Sequence, residues 1–486
     1  MKTYKYLCSI LLFILVSMSC SLTVAEASLP SSESITERLD ALPQLRGASI
    51  AVSIRSVRTG EILYQYNGDK RLSPASNMKL FTGAAALQML GPKHTFHTEI
   101  HTDGKQKWKV LFGNLYLVGK GDPTLSKTEL DQFAKALKEQ GIDYISGDLI
   151  GDDSWYDDVR YSIDLPWSDE QTYYGAPISA LTTSPTNDYN AGSILITITP
   201  SDSIDAAPLV QLTPPTTFVS IKNKARTTKP TSKPTITLDR NHLTNTVLVV
   251  GEIPRAYPAV KESIAITNPT NYTLTLFQES LEEQGIKVLG SLKRGEVPNK
   301  TIRMMDRASV PLEQLVVPFM KQSNNTIAEI LIKEMGKKGE GEGSWDSGLA
   351  VEKRVLTEMG VSLNGMVFRD GSGISHLNLT TANTVTNLLF VAQDQPWFHS
   401  FYESLPVAGI EEKQIGGTLK GRFIDSPFKG KIVAKTGSLT NVSSLSGYLE
   451  NGRKKEYIFA IMMNHLSENQ NGKEMEEKII NLLFNE

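Results

Sequence analysis

A chain of 486 residues, 40% hydrophobic and 21% charged, is long enough for two or three domains with packed cores. Its formal charge of −3 gives no bias towards nucleic acid, and no stretch beyond the N-terminal leader is long and apolar enough to span a bilayer. The only two cysteines, Cys8 and Cys20, lie in that leader, so the rest of the chain can form neither a disulfide nor a thiolate metal site.

Lys2 and Lys5, an apolar run from Leu7 to Val16, and Ala25-Glu26-Ala27 predict a secretory signal peptide over residues 1–27. A competing reading is lipidation at Cys20, although Ser17 stands where a lipobox usually carries leucine. The product is therefore expected to be exported, either soluble or held at the membrane periphery by an N-terminal lipid tether.

A helix is expected over 34–42, then a strand over 48–57 paired with a second over 61–66 across Arg58-Thr59-Gly60. From Pro74 the sequence reads as helix, with Met78, Phe81, Ala85 and Met89 giving one apolar face. From about His94 the character changes to short strands and glycine-rich turns, interrupted by a helix over 127–140. His94, His97 and His101 invite a zinc reading, but in a strand His94 and His97 face opposite sides. Residues 200–234 look like a small β-rich insert, Thr246 to Val250 like a strand, and Lys222 to Arg226 like a solvated basic loop. A helix over 277–285 and a strand over 290–294 lead back. Helices follow over 311–320 and 326–335, then strands beginning at Lys435, over 444–449 and over 457–463, the last two joined across Asn451-Gly452. A helix carrying Met475, Ile479 and Leu482 closes the chain.

Chemistry concentrates at Ser76-Asn77-Met78-Lys79. On a helix, Ser76 and Lys79 project from one face, one turn apart. A serine hydroxyl is a weak nucleophile until a base takes its proton, and lysine is such a base only when burial or positive neighbours lower its pKa. The spacing alone is a weak signal, since Ser426-Pro427-Phe428-Lys429 repeats it with no helical pattern behind it.

Two further elements follow in order, Ser323-x-Asn325 and Lys435-Thr436-Gly437. The three together resemble the penicilloyl-serine transferases, which comprise the penicillin-binding proteins and the serine β-lactamases. Gly121-Asp122-Pro123, Tyr174-Gly175-Ala176-Pro177, Asp370-Gly371-Ser372-Gly373 and Leu405-Pro406-Val407-Ala408-Gly409 narrow this. They are similar to the D-alanyl-D-alanine carboxypeptidases/endopeptidases of the low-molecular-mass penicillin-binding protein 4 group.

The resemblance implies an α+β fold, a transpeptidase-like domain of helices and antiparallel sheet split by inserted β-rich domains. Its parts would be 28–95, an insert over 96–295 with a smaller one nested at about 198–262, and 296–486. It makes Ser76 the nucleophile, Lys79 its base and Ser323 a proton relay. Asn325 would bind the substrate's peptide group, while Lys435, Thr436 and Ser438 hold its terminal carboxylate. The oxyanion hole would be the backbone N–H groups of Ser76 and Ser438. An acidic residue from the insert would meet the free amine of a diamino acid in the substrate, and Asp152 stands where the pattern puts it; the bland alternative is a turn cap. The implied substrates are peptidoglycan stem peptides ending in D-Ala-D-Ala and D-alanyl cross-links, with β-lactam antibiotics as covalent inhibitors and no metal or organic cofactor. His376 replaces the family's arginine, which bears on side-chain preference rather than on the reaction. Competing readings are a secreted serine β-lactamase, which is usually one compact domain without the long insert, and a non-enzymatic peptidoglycan-binding protein, which has no need of both lysines.

Overall fold

The computed structural model describes residues 31–451 and 454–484. The expected signal peptide, with Cys8 and Cys20, lies outside these residues, as does Gly452 of the expected turn. Two compact units are formed, one from residues 31–46 and 477–484, the other from 47–476. In the first, helix α1 (Ser32–Asp40) is capped by Ser31, whose hydroxyl accepts the Ser34 N–H.

The larger unit opens with strands β1 (Ser49–Ser56) and β2 (Ile62–Tyr66), paired antiparallel as the alternation predicts. A 3-10 turn at Ala75–Asn77 then precedes helix α2 (Met78–Leu90). The helix thus begins later than Pro74, because Ala75 lies at φ +47, outside the helical range. Nor does it bury a single face: every residue from Met78 to Leu87 is buried. A helix apolar on all sides belongs in a core.

Between α2 and the return of the chain lies a β-rich region with its own buried cluster, which includes Ile100, Leu117, Leu137, Ile196 and Phe277. One of its sheets is made by β3 (His97–Thr102), β4 (Leu115–Lys120) and β5 (Leu149–Asp152) with β6 (Leu292–Arg294) and β7 (Ile302–Ala308), in the order β6-β5-β4-β3-β7. Strand β7, beyond the expected insert end at 295, pairs with β3. A second sheet runs 287–288, 144–145, 110–112, 105–107. Helices α3 (Lys127–Glu139) and α4 (Pro269–Glu283) pack on each other. Helix α4 starts earlier than its hydrophobic pattern suggests, because Asn268 caps it and Pro269 takes the first position. The run Lys222 to Arg226 is not one loop: it ends the strand Ser220–Asn223 and begins Arg226–Thr228.

The return brings α5 (Leu312–Lys321), α6 (Asn325–Glu340), α7 (Trp345–Glu358), α8 (Ala382–Ala392) and α9 (Phe398–Ser404). Helices α5, α6 and α7 enclose α2. Strands β8 (Ile432–Leu439), β9 (Val442–Asn451) and β10 (Lys454–Asn464) precede helix α10 (Gly472–Phe484). With β1 and β2 they form one antiparallel sheet in the order β2-β1-β10-β9-β8. Helix α8 lies against β1, β9 and β10. The architecture is α+β, and β8 is left as an edge strand.

Candidate active site

The turn carrying Ser76 is fixed by close contacts from three directions. Ser444 Oγ donates to the Pro74 carbonyl at 2.6 Å, and Asn77 Nδ2 donates to Ser446 Oγ at 2.8 Å. A Cβ at Gly373 would fall 1.9 Å from the Ala75 carbonyl oxygen, so only glycine lets that loop approach. One at Gly437 would lie 3.0 Å from Ser76 N, which places β8 directly beside the turn.

Lys79, the second residue of α2, is fully buried. Its Nζ lies 3.1 Å from Ser76 Oγ, 2.7 Å from Asn325 Oδ1 and 2.7 Å from the Ser372 carbonyl. The amide of Asn325 is oriented by its Nδ2, which donates to the Tyr174 carbonyl at 3.0 Å. Two of the three lysine partners can therefore only accept. A neutral amine has two N–H groups for those oxygens and one lone pair left for the serine hydroxyl. Burial pulls the Lys79 pKa down to about 7, against the opposing pull of Glu329 and Asp370.

The turn between α5 and α6 places Ser323 at φ +57, a conformation that favours glycine. Its Oγ accepts from Lys435 Nζ at 2.9 Å, and the same nitrogen donates to the Thr436 carbonyl at 2.7 Å. Lys435 is also fully buried, and burial, then the nearby Lys79, holds its pKa well below the usual lysine range. Thr436 Oγ1 donates to Thr418 Oγ1 at 2.7 Å. Ser76, Ser323, Asn325, Thr436 and Ser438 all line one cleft of about 520 Å³, with Lys79 and Lys435 beneath its floor.

Below Lys79 lies a layer of buried carboxyl groups, of which the sequence flags only Asp370, as part of a motif. Glu329 on α6 accepts the N–H groups of Gly371 and Ser372 at 3.1 and 2.8 Å, and the Trp345 indole at 2.7 Å. It thereby holds the loop whose Ser372 carbonyl holds the lysine. Asp370 accepts from Gly373 N, Ser375 N and Asn378 Nδ2 at 2.7–2.8 Å. Burial pushes Glu329 up to about 7, with Asp370 adding to the rise. Glu352 on α7 is pushed up to about 8, again by burial. Its Oε1 lies 3.0 Å from Thr82 Oγ1, whose single hydrogen goes to the Gly371 carbonyl at 2.8 Å. Only a protonated Glu352 can then bond that hydroxyl, as donor.

Asp152 does not reach the cleft. At the end of β5 its carboxylate accepts Ser154 N at 2.9 Å and Val297 N at 2.7 Å, so it caps the turn and ties down the chain after β6. Trp155 and Tyr156 bind Glu334 instead, at 2.9 and 3.0 Å. The insert residues that do line the cleft come slightly later: Pro166, Ser168, Asp169, Tyr173 and Tyr174, with His376 also in the lining. The decoy Ser426 sits in a turn closed by Lys429 N to its carbonyl, and neither residue lines the cleft. His94, His97 and His101 engage separate carboxylates, Glu334, Asp306 and Glu99.

Residues 31–485 match the D-Ala-D-Ala carboxypeptidase 3 (S13) family. The chain belongs to that family. It is 38% identical to a D-alanyl-D-alanine carboxypeptidase of Actinomadura sp. (strain R39), a match covering 92% of this chain and 84% of that one. Identity to the D-alanyl-D-alanine carboxypeptidase DacB of Haemophilus influenzae is 27%, over 90% of each chain. The crystal structure of penicillin binding protein 4 from Haemophilus influenzae superposes with a TM-score of 0.77 at 25% identity, covering 92% of this chain and 96% of that one. The same Haemophilus protein has been crystallised with a β-lactam. Family membership makes this protein a serine-type D-alanyl-D-alanine carboxypeptidase, a hydrolase.

Proposed function

We propose that the protein cleaves D-Ala-D-Ala termini and D-alanyl cross-links of peptidoglycan through an acyl-enzyme on Ser76, and that penicillins acylate the same oxygen. The observation that carries this is the hydrogen-bond set of Lys79, which leaves its lone pair for the Ser76 hydroxyl. Lys79 takes that proton as Ser76 Oγ bonds to the carbonyl carbon of the penultimate D-alanine. The oxyanion is held by the backbone N–H groups of Ser76 and Ser438. Ser323, bonded to Lys435, gives its hydroxyl proton to the departing amine as the C–N bond breaks and takes in its place the proton held by Lys79, which is neutral again. Water then hydrolyses the ester and frees Ser76.

The edge position of β8 favours a substrate laid along it as an added strand. Asn325 meets its peptide group, and Lys435, Thr436 and Ser438 meet its terminal carboxylate. Asp169, rather than Asp152, is the insert acid we assign to a free amine on the stem peptide, and its position in the cleft lining supports this. The protein works outside the cytoplasm after removal of residues 1–27, or tethered through Cys20.

Defined muropeptides test the reaction: release of D-alanine or of monomers from dimers supports it, and inert muropeptides overturn it. Peptide mapping after penicillin treatment should find the label on Ser76; a label on Ser426 would refute the assignment. Asp169→Asn should lower kcat/KM on stem peptides with a free side-chain amine at least about tenfold, the worth of one partly exposed charge pair. Analogues with an acylated amine should be cleaved as before, and equal loss on both would show a structural role instead.

A further inference from the structure

The sheet of the inserted region that runs 287–288, 144–145, 110–112, 105–107 has two unlike faces. Leu111 and its partner Ile145 are buried on the inner one. Ladder partners share a face, so the pairs Lys105–Phe112, Lys107–Val110 and Lys287–Tyr144 all stand on the other. That face is open to solvent, with Phe112 54% and Tyr144 41% exposed, and Leu289 just past its edge strand 64% exposed. Among the described residues, Lys105, Lys107 and Lys287 enter no ion pair, while Lys109 is matched with Asp143 at 2.8 Å.

The tip of the hairpin breaks two local rules at once. Trp108 and Lys109 form a two-residue loop between the paired Lys107 and Val110. Trp108 holds φ +54, as the first residue of a type II′ turn does, where glycine is usual. The side chain carried on that strained backbone is the largest available, and it is 84% exposed. Lys107 Nζ lies 5.1 Å from the centre of its ring. Backbone strain and an unburied indole both disfavour the fold, and among the described residues the contacts at the tip are the Lys107 ammonium over the ring and Gln106 Nε2 donating to the Trp108 carbonyl at 3.3 Å, neither of which buries the indole.

We propose that this face docks on an anionic lipid surface, with Trp108 inserted at headgroup depth and Lys105, Lys107 and Lys287 over the phosphates. Indole and phenol rings favour the boundary between water and acyl chains, and lysines beside them add attraction to anionic lipid. A hydrophilic polyanion would satisfy the lysines and leave Trp108, Phe112, Tyr144 and Leu289 without a partner, so lipid is the occupant that uses the whole face. None of these residues lines the catalytic cleft, so docking is independent of the peptidase chemistry.

Sedimentation of the purified protein with vesicles tests this, using phosphatidylcholine alone and with phosphatidylglycerol. Binding is expected only to the anionic vesicles, and it should weaken as salt rises. Trp108→Gly suits the turn and keeps the fold; it should weaken partition at least about fivefold. Lys105→Gln with Lys107→Gln should weaken it further, by about fivefold per charge. Penicillin acylation should be unchanged in all variants. Failure of the parent protein to bind anionic vesicles would overturn the proposal, as would equal binding by Trp108→Gly. So would binding that soluble polyphosphate or isolated glycan strands abolish equally in parent and Trp108→Gly protein, since the ligand would then be a polymer.

Discussion

Lys79 can act as a base only in the fraction of molecules where it is neutral. With burial holding it near 7, penicillin acylation should rise with pH through about 7 and then level off. Glu329 opposes that depression, so Glu329→Gln should move the rising limb to lower pH, visible in stopped-flow acylation measured from pH 5 to 9. An unmoved limb would mean that Glu329 acts only through the loop it holds. Glu352 gives a stability effect of definite sign. Its folded pKa, about 8, lies above the unfolded value of 4.5, so folding is least hindered below 4.5 and loses stability as pH climbs through 8. Glu352→Gln, which mimics the neutral acid, should therefore gain in Tm relative to the parent on going from pH 5 to pH 8, by at least about 2 °C. Of these side chains, the sequence makes legible only those bound to a motif by chemistry: Ser76, Lys79, Ser323, Asn325, Lys435. Glu329 and Glu352 sit among helical residues whose charges look like a solvated face, and only tertiary packing reveals them as buried. Asp152 fails for the opposite reason, since its neighbourhood matched a motif while β5 turned its carboxylate to Val297.

Elements tell the same story with different causes. The strands of the main sheet follow from alternation, and α10 from its apolar spacing. Helices α7 and α8 are not among the helices expected from the sequence, yet Ser344 and Thr381 cap them by accepting N–H groups of Ser347 and Thr384. Those caps were readable signals. The positive φ of Ala75 and Ser323 was not, because neither residue type announces it. Such strained turns survive only where neighbours over-determine them, and Gly437 is one such neighbour. A Cβ there would lie 2.3 Å from Ser444 Oγ and 2.7 Å from the Pro74 carbonyl. Gly437→Ala should thus reduce penicillin acylation at least about hundredfold by displacing the Ser76 turn. Circular dichroism should still report a folded sheet, and near-parental acylation would show that β8 can give way.

At the scale of the molecule, two buried clusters coexist, one around α2 and the main sheet, the other in the inserted region. Separate cores need not melt together. Calorimetry should resolve a calorimetric enthalpy larger than the van't Hoff value, and acylation by penicillin should raise one transition more than the other. A single two-state transition would mean that the clusters unfold as one. The segment from Asp153 to Ala180 complicates this division usefully. Its Tyr156, Ile178 and Ala180 pack into the cluster around α2, although the chain reaches them from the insert. Asp164 fastens it further, accepting from Arg369 Nε and Ser375 Oγ at 2.7 Å each.

That segment supplies one bank of the cleft, through Pro166, Asp169, Tyr173 and Tyr174, while the groups proposed to react come from the Ser76 turn, α2, the α5–α6 turn and β8. On the proposed reading, bond-breaking and recognition of the substrate's side chain are thereby written in different stretches of the gene. Changes to the side chains at codons 166–173 can alter that bank and leave the serine–lysine pair in place, whereas the Tyr174 carbonyl, which orients the Asn325 amide, ties the two stretches together. For inhibitor design the two stretches pull apart in the same way. A compound that leans on the serine–lysine pair inherits a broad spectrum, whereas one shaped to the bank of Asp169 and Tyr173 gains selectivity and meets resistance there first.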